Sequence, residues 1–342
     1  GQKAGWGLAD MGIVVFVIVK QLLILAFMNS FLGIPIALAG AVTTAVLIFD
    51  IISDPIIGYF SDKTVSRFGR RAPWMLVGAV VLALAMIGLF AVPENFTTNA
   101  SLIWVTVFFL ISTVGFTMVS IPYGAMAGEM TLDKKERSSM TAWRMAFASL
   151  GILVGGALIP ILAGDTKSGY TFAAICVAPL IILSIWFSVF FTRNAPRTLV
   201  PSQQNFSYIL KLVLANRAFV TLVILYGIMT LAIALITAGL PFAAMYLIMD
   251  DGNSLLSGVA KGLGTLSLMF AAFVIGSIIS QALWVKLSNL YGKVGAQLIG
   301  ILCYIALLIL IFFSLPNYNV TLIAGCLLYT SDAADEGLGV DL

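Results

Sequence analysis

The feature that most constrains this chain is a succession of long apolar stretches, each about as long as a bilayer is thick when coiled as a helix. A spanning helix needs roughly 20 mostly apolar residues. Nine segments meet that test: Met11–Leu32, Ala39–Phe60, Trp74–Val92, Leu102–Met126, Ala142–Ala163, Tyr170–Phe191, Phe219–Leu247, Leu263–Val285 and Val294–Phe313. A tenth begins near Val320. Lipid offers the backbone no hydrogen bonds, so stretches of this length satisfy their own amides by forming helices. The expected fold class is therefore all-α and polytopic, embedded in a lipid bilayer. Composition agrees. The chain is 61% hydrophobic and 10% charged, where soluble domains carry roughly 25% charge. Histidine is absent, which excludes an imidazole proton relay, a histidine metal site and a Ser-His-Asp triad. Cys176 and Cys303 lie in apolar runs and read as small buried hydrophobes, with no disulfide framework or zinc spacing. The first apolar run lacks a small-residue cleavage site after it and reads as a first spanning helix.

Lysine and arginine set the orientation. With the N-terminus in the cytoplasm, Lys3, the loop with Lys63, Arg67, Arg70 and Arg71, and the segment with Lys134, Lys135, Arg137 and Arg144 all fall inside. Arg193, Arg197, Lys211, Arg217, Lys286 and Lys293 join them, so that fifteen of the 18 basic residues are cytoplasmic. Lys167 and Lys261 fall outside, and Lys20 lies within the first span. A multi-pass protein of the cell membrane, bacterial inner membrane by preference, is expected.

Four parts follow along the chain. Residues 1–192 read as an N-terminal six-helix bundle, and residues 193–218, with Pro196 and Pro201, as a cytoplasmic linker. Residues 219–325 read as a partial C-terminal bundle. The loop after the second span contains Gly58, Asp62, Lys63 and then Phe68-Gly69-Arg70-Arg71; the loop after the eighth contains Trp284, Lys286 and then Tyr291-Gly292-Lys293. Two halves built on related repeats are a common transporter plan. In residues 326–342 the tenth span loses its apolar character too early, and CLLYTSDAADE looks like the translation of a sequencing-library adapter. That tail is expected to be non-native.

Ionisable residues inside spans are costly and mark function. Asp50 and Asp54 are four apart, so they share one helical face, with Thr43 seven residues earlier on the same stripe. The pair supplies hard oxygens suited to a small metal cation such as sodium, or can share a proton. The bland alternative is a structural pair near the cytoplasmic end. Thr113, Thr117 and Ser120 recur at spacings of four and three on the fourth span, followed by Pro122, which frees a carbonyl near Met118. Such hydroxyls complete a cation shell, bind a polar solute or join helices. Lys20, mid-span, reads as an ion-pair partner for Asp50, an anchor for an anionic solute, or a lysine bonded to carbonyls. In the cytoplasmic loop, Gly58 allows close helix contact and Asp62 pairs with a basic residue across an interface. The segment Thr131 to Arg137 carries a helix-start signal and reads as a surface helix bracing a gate.

These residues together resemble the glycoside–pentoside–hexuronide:cation symporter family of the major facilitator superfamily. The resemblance runs from Gly5 to about Arg217 and more faintly to Leu315. It is carried by Trp6-Gly-Leu-Ala-Asp-Met-Gly12, Phe49-Asp50-Ile-Ile-Ser-Asp54-Pro55-Ile-Ile-Gly58 and Ser66-Arg67-Phe-Gly69-Arg70-Arg71-Ala-Pro73-Trp74. Ile121-Pro122-Tyr123 and Thr131-Leu-Asp133-Lys-Lys-Glu136-Arg137 support it. The resemblance implies twelve helices in two bundles around a central cavity, of which this chain would hold about nine and a half. It implies a cation site at Asp50, Asp54 and Thr117, and places Val14 and Ser120 at positions of the solute site; Lys20, which is unlike that site, and Arg144 are expected to join them in binding the solute. Gly58, Asp62, Arg67, Gly69, Arg70 and Arg71 would form the cytoplasmic gating loop. Val14 and Ser120 fall where melibiose permease has sugar-binding acids, so galactosides are not the expected solute.

The expected activity is symport of a sugar or glycoside with a monovalent cation, sodium or proton, by alternating access, with no cofactor and no nucleic-acid partner. The alternative within the class is an amphipathic or anionic solute such as a lysolipid. Outside the class stand a membrane receptor and an intramembrane aspartyl enzyme. The enzyme would draw its two acids from different helices, whereas Asp50 and Asp54 share one.

Overall fold

The computed structural model describes residues 2–131, 134–164 and 166–195, together with isolated positions between 215 and 313. Six helices are long and apolar enough to cross a membrane: α1 (Gln2–Ser30), α2 (Ile36–Lys63), α3 (Ala72–Phe90), α4 (Thr98–Met130), α5 (Ser139–Ala163) and α6 (Lys167–Thr192). They coincide with the first six expected spans. The expected seventh, eighth, ninth and tenth spans, the linker at 193–218 and the tail at 326–342 lie outside the described residues, apart from isolated positions.

Local chemistry sets the ends. Thr97 caps α4 by accepting a hydrogen bond from the Ala100 amide at 3.3 Å, and Thr166 caps α6 through the Gly169 amide at 3.0 Å. Pro73 sits in the first turn of α3, where its missing N–H costs nothing. Between α2 and α3, Gly69 has φ of 94°, a left-handed conformation that suits glycine. Pro55, Pro122 and Pro179 lie inside α2, α4 and α6. Each withholds an amide from the carbonyl one turn earlier.

The helices form one layered bundle. α1 packs on α5 and α6, α3 on α4 and α6, and α2 leans on α4. Small residues let these backbones approach, as membrane helices require when lipid gives no hydrophobic drive. A methyl added at Gly151 would lie 2.6 Å from the Met11 carbonyl of α1, and one at Gly155 would lie 2.9 Å from Ile18 Cβ. One at Gly115 of α4 would meet the Leu82 amide of α3 at 2.5 Å. Large side chains such as Phe16, Phe27, Phe90, Phe109 and Leu82 fill the centre. Apolar groups also face outward, among them Ile48, Ile51 and Ile52 on α2 and Phe172, Trp186 and Phe187 on α6. In water such faces would be a liability; in a bilayer they are the solvated surface.

Two sequence expectations change. Cys176 and Cys303 are exposed rather than buried, because in lipid an apolar run no longer identifies the inward face. Gly58 holds no tight helix contact among the described residues: a methyl there would meet Ile121 at an ordinary 3.5 Å. α2 is the least buried of the six helices, with 17% of its apolar window enclosed.

Candidate functional site

α1 is not uniform. Its turn Val19–Leu23 is π-helical, and Lys20 belongs to that turn. A π turn widens the helix by one residue and frequently occurs at functional sites. From it, Lys20 reaches α2 and places its Nζ 2.6 Å from Asp50 Oδ2. On the other side, Thr117 Oγ1 of α4 donates to Asp50 Oδ1 at 3.2 Å. Ser53 also donates to the Asp50 carbonyl at 3.1 Å. The Lys20 ammonium lies 5.6 Å from the Phe116 ring centre, within cation–π range. The side chains of Lys20 and Asp50 are only 11% and 16% exposed, so this ion pair is largely withdrawn from water. Three helices thus meet at one carboxylate.

Asp54, one turn along α2, differs. Its Oδ1 is buried and has no hydrogen-bond partner among the described residues. Thr113 Oγ1, one turn before Thr117 on α4, is likewise buried without a partner. A buried polar atom left unbonded is costly, which makes these two atoms candidates for holding a ligand. Pro55 and Pro122 free the carbonyls of Ile51 and Met118 on the same two helices. Hard oxygens are therefore available beside Asp50 from the Asp54 carboxylate and backbone, whereas Thr113 lies one turn to the other side of the Asp50–Thr117 contact. Thr43 does not extend this group, because its hydroxyl donates to the Ala39 carbonyl at 3.0 Å.

The expected solute residues fall in separate places. Lys20 is taken up by Asp50. Val14 packs near Gly151 of α5, and Ser120 is half-buried on α4. Arg144 of α5 pairs through Nε with Asp10 Oδ2 of α1 at 3.2 Å, and its guanidinium lies 5.9 Å from the Tyr123 ring centre. Asp10 is 2% exposed, whereas the Arg144 side chain is 44% exposed. Trp6 stacks on Tyr123 with centroids 4.6 Å apart and donates to the Tyr123 carbonyl at 3.3 Å. Tyr123 Oη is buried without a hydrogen-bond partner among the described residues. Sequence reasoning gave Asp10 no role, although an acid between Ala9 and Met11, close to the apolar run, was the available signal.

The gating-loop residues gather at one end. Glu129 Oε1, at the end of α4, accepts from Arg70 Nη2 at 2.9 Å and from Arg71 Nε and Nη2 at 2.9 and 2.8 Å. Arg71 also reaches Asp62 at 3.0 Å, so the expected cross-interface partner of Asp62 is Arg71. Arg67 is exposed. Glu129 was missed in the sequence, where it lies just past the fourth apolar run. At the same end Lys3 pairs with Glu136 at 3.2 Å, and Thr131 donates to that carboxylate at 2.8 Å. The Thr131 hydrogen bond, and after it Lys3, hold the exposed Glu136 carboxyl below its ordinary range. These contacts bring the start of α1, the α2–α3 loop and the α4–α5 connection together. Lys167 lies at the other end, against the Pro93 carbonyl at 3.3 Å.

Known proteins resemble this chain in sequence and fold. The family described as MFS/sugar transport protein matches residues 5–334. The chain is 28% identical over 339 residues to "Uncharacterized symporter YjmB" of Bacillus subtilis (strain 168), covering 94% of this chain and 69% of that protein. It is 30% identical over 220 residues to "Putative glycoside/cation symporter YagG" of Escherichia coli (strain K12), covering 63% of this chain and 47% of that one. "Inner membrane symporter YicJ" of the same organism is 27% identical over 56% of this chain and 43% of its own. The matched region thus spans less than half of either Escherichia coli relative. A crystal structure of a D-xylose-proton symporter superposes with a TM-score of 0.57 at 13% identity, covering 97% of this chain and 79% of that one. At that identity the likeness shows the fold. The family match takes in nearly the whole chain, and together with the six membrane-length helices it makes this a multi-pass membrane protein, a transporter rather than an enzyme, belonging to the MFS sugar-transport family.

Proposed function

We propose that the chain works within a secondary active symporter that couples movement of a sugar or glycoside to a monovalent cation by alternating access. The observation that carries this is the unequal pair on α2. Asp50 is neutralised by Lys20 and bonded by Thr117, while Asp54 keeps a buried oxygen with no hydrogen-bond partner among the described residues. The site carries one net negative charge, which suits one monovalent cation. Closing a cavity over an uncompensated carboxylate is unfavourable by several kcal/mol. A bound cation removes that cost, so closure over solute follows cation binding. The names of the relatives, a glycoside/cation symporter among them, support the same reading.

In this reading Asp54, Asp50 and Thr117 hold the cation. Arg144, with Val14 and Ser120, contributes to the solute site, and the α2–α3 loop fastened on Glu129 is the cytoplasmic gate. The N-terminus is cytoplasmic, the membrane is a bacterial inner membrane, and the complete protein consists of two six-helix bundles joined by the 193–218 linker. Lys20 is engaged by Asp50 in this structure; the Arg144 guanidinium, paired with Asp10, keeps a half-exposed side chain that an anionic solute can reach. That observation keeps a second reading, transport of an anionic or amphipathic solute.

The test is uptake by vesicles carrying the full chain of radiolabelled pentosides, hexuronides and galactosides, and of an anionic amphiphile, with and without a sodium or proton gradient. A gradient-stimulated signal that Asp54→Asn abolishes is expected. Undiminished stimulation in both Asp54→Asn and Asp50→Asn would remove the cation site. Selective uptake of the amphiphile would favour the second reading, and strong galactoside uptake would refute the inference drawn from Val14 and Ser120.

A further inference from the structure

We propose that Lys20 is a tethered cation: its ammonium holds the Asp50 carboxylate, and a sodium ion reaches Asp50 only by displacing it. The proposal rests on the reading of Asp50 and Asp54 as the cation site and specifies how that site is regulated.

Both Asp50 oxygens are engaged, Oδ2 by the Lys20 ammonium at 2.6 Å and Oδ1 by the Thr117 hydroxyl at 3.2 Å. A contact of 2.6 Å to an ammonium is a short charge-assisted hydrogen bond. A sodium ion bears the same charge as the ammonium, so the two repel strongly when forced onto one carboxylate in a site of low polarity. Sodium at Asp50 therefore competes with Lys20 rather than adding to it.

The chain holds its own cation in place while leaving it able to move. Lys20 belongs to the π turn of α1, and the Phe116 ring 5.6 Å away gives the ammonium a second surface to lean on. Its four-carbon stem is flexible and its charge compact. Asp54 Oδ1, by contrast, is enclosed and has no hydrogen-bond partner among the described residues. The two aspartates are thus unequal: one is answered by a side chain, the other has an oxygen that a mobile ion can take. An incoming cation binds first at Asp54, and its approach to Asp50 releases Lys20, tying cation arrival to a movement between α1 and α2.

The experiment is sodium binding to the full chain, purified in detergent and measured by isothermal titration calorimetry at a single pH. Lys20→Met removes the competitor and leaves two uncompensated carboxylates, so sodium should bind about ten-fold more tightly than to the parent protein. Lys20→Met/Asp50→Asn should return the affinity to within about two-fold of the parent. The proposal is overturned if Lys20→Met binds sodium no more tightly than the parent, or if the double variant keeps the gain. Should Lys20→Met fail to fold, the charge-balanced double variant still decides: parent-like affinity supports the proposal, and a loss of more than about ten-fold overturns it by making Asp50 a direct, uncontested ligand. Asp54→Asn separates this from the underlying reading. Sodium binding unchanged in Asp54→Asn removes the cation site itself; binding lost there, with no gain in Lys20→Met, removes only the tethered cation.

Discussion

Charge inside a membrane protein is informative one residue at a time, because each charge must be answered. Asp10 and Arg144 show how unequal the two halves of an ion pair can be. Asp10 is 2% exposed and Arg144 has a side chain 44% exposed. Removing the exposed partner leaves a buried carboxylate without its cation, whereas removing the buried partner leaves a guanidinium that water can still hydrate. Arg144→Leu should therefore destabilise the protein by about 3–5 kcal/mol. Asp10→Asn, which keeps a hydrogen-bonding group, should cost about 1 kcal/mol. Thermal unfolding in detergent, followed by tryptophan fluorescence, orders the two variants; equal losses would contradict the asymmetry. The same residues explain where sequence reading stopped short. The Asp50–Asp54 spacing was legible because helical periodicity places i and i+4 on one face. The partners of Asp10 and Glu129 were not, since Arg144 is 134 residues from Asp10 in the chain and the Arg71 contact to Glu129 spans 58. Pairings across such distances depend on how helices pack, which no local pattern encodes.

At the scale of elements, six apolar runs located six helices, but most of their ends moved outward, while α1 and α3 stop two residues short of the expected Leu32 and Val92. α1 starts at Gln2 rather than Met11, and α4 continues to Met130 rather than stopping at Met126. In both cases an acid lies in the added part, Asp10 in α1 and Glu129 in α4. Each is paired with arginine from another element, so the helix carries a charge that hydropathy alone counts against it. Between elements, close packing depends on missing side chains. Gly115 faces the Leu82 backbone so closely that a methyl would lie 2.5 Å from its amide nitrogen. Gly115→Ala forces α3 and α4 apart and should destabilise the bundle by about 1–3 kcal/mol. Gly124→Ala, on the same helix with none of the described residues close to it, should leave the unfolding midpoint nearly unchanged and serves as the control.

For the whole molecule, the ion pairs provide a check on topology independent of hydropathy. Lys3 with Glu136, and Arg70 and Arg71 with Glu129, bring three connections to one end of the bundle, while Lys167 lies at the other. That is the separation of basic residues from which the cytoplasmic side was read. Cysteines introduced by Arg70→Cys and Lys135→Cys should react with a membrane-impermeant reagent from the same face of the membrane, and one introduced by Lys167→Cys from the opposite face. Labelling of positions 70 and 135 from different faces would break the arrangement. The solute remained illegible for a physical reason: solute contacts come from several helices at once, and Val14, Ser120 and Arg144 lie on three of them.

The π turn at Val19–Leu23 also governs how α1 tolerates a change in length. An uninterrupted α-helix advances about 100° per residue, so a deletion swings everything beyond it away from its packed face. A π turn already contains one residue more than an α turn needs. Deleting Gln21 should let the turn close while Phe16 on one side and Phe27 on the other keep their buried positions; deleting Val15 should misalign half of the helix. Only the reach of Lys20 would change. Circular dichroism and thermal unfolding that fail to tell the two deletions apart would show that α1 has no such slack.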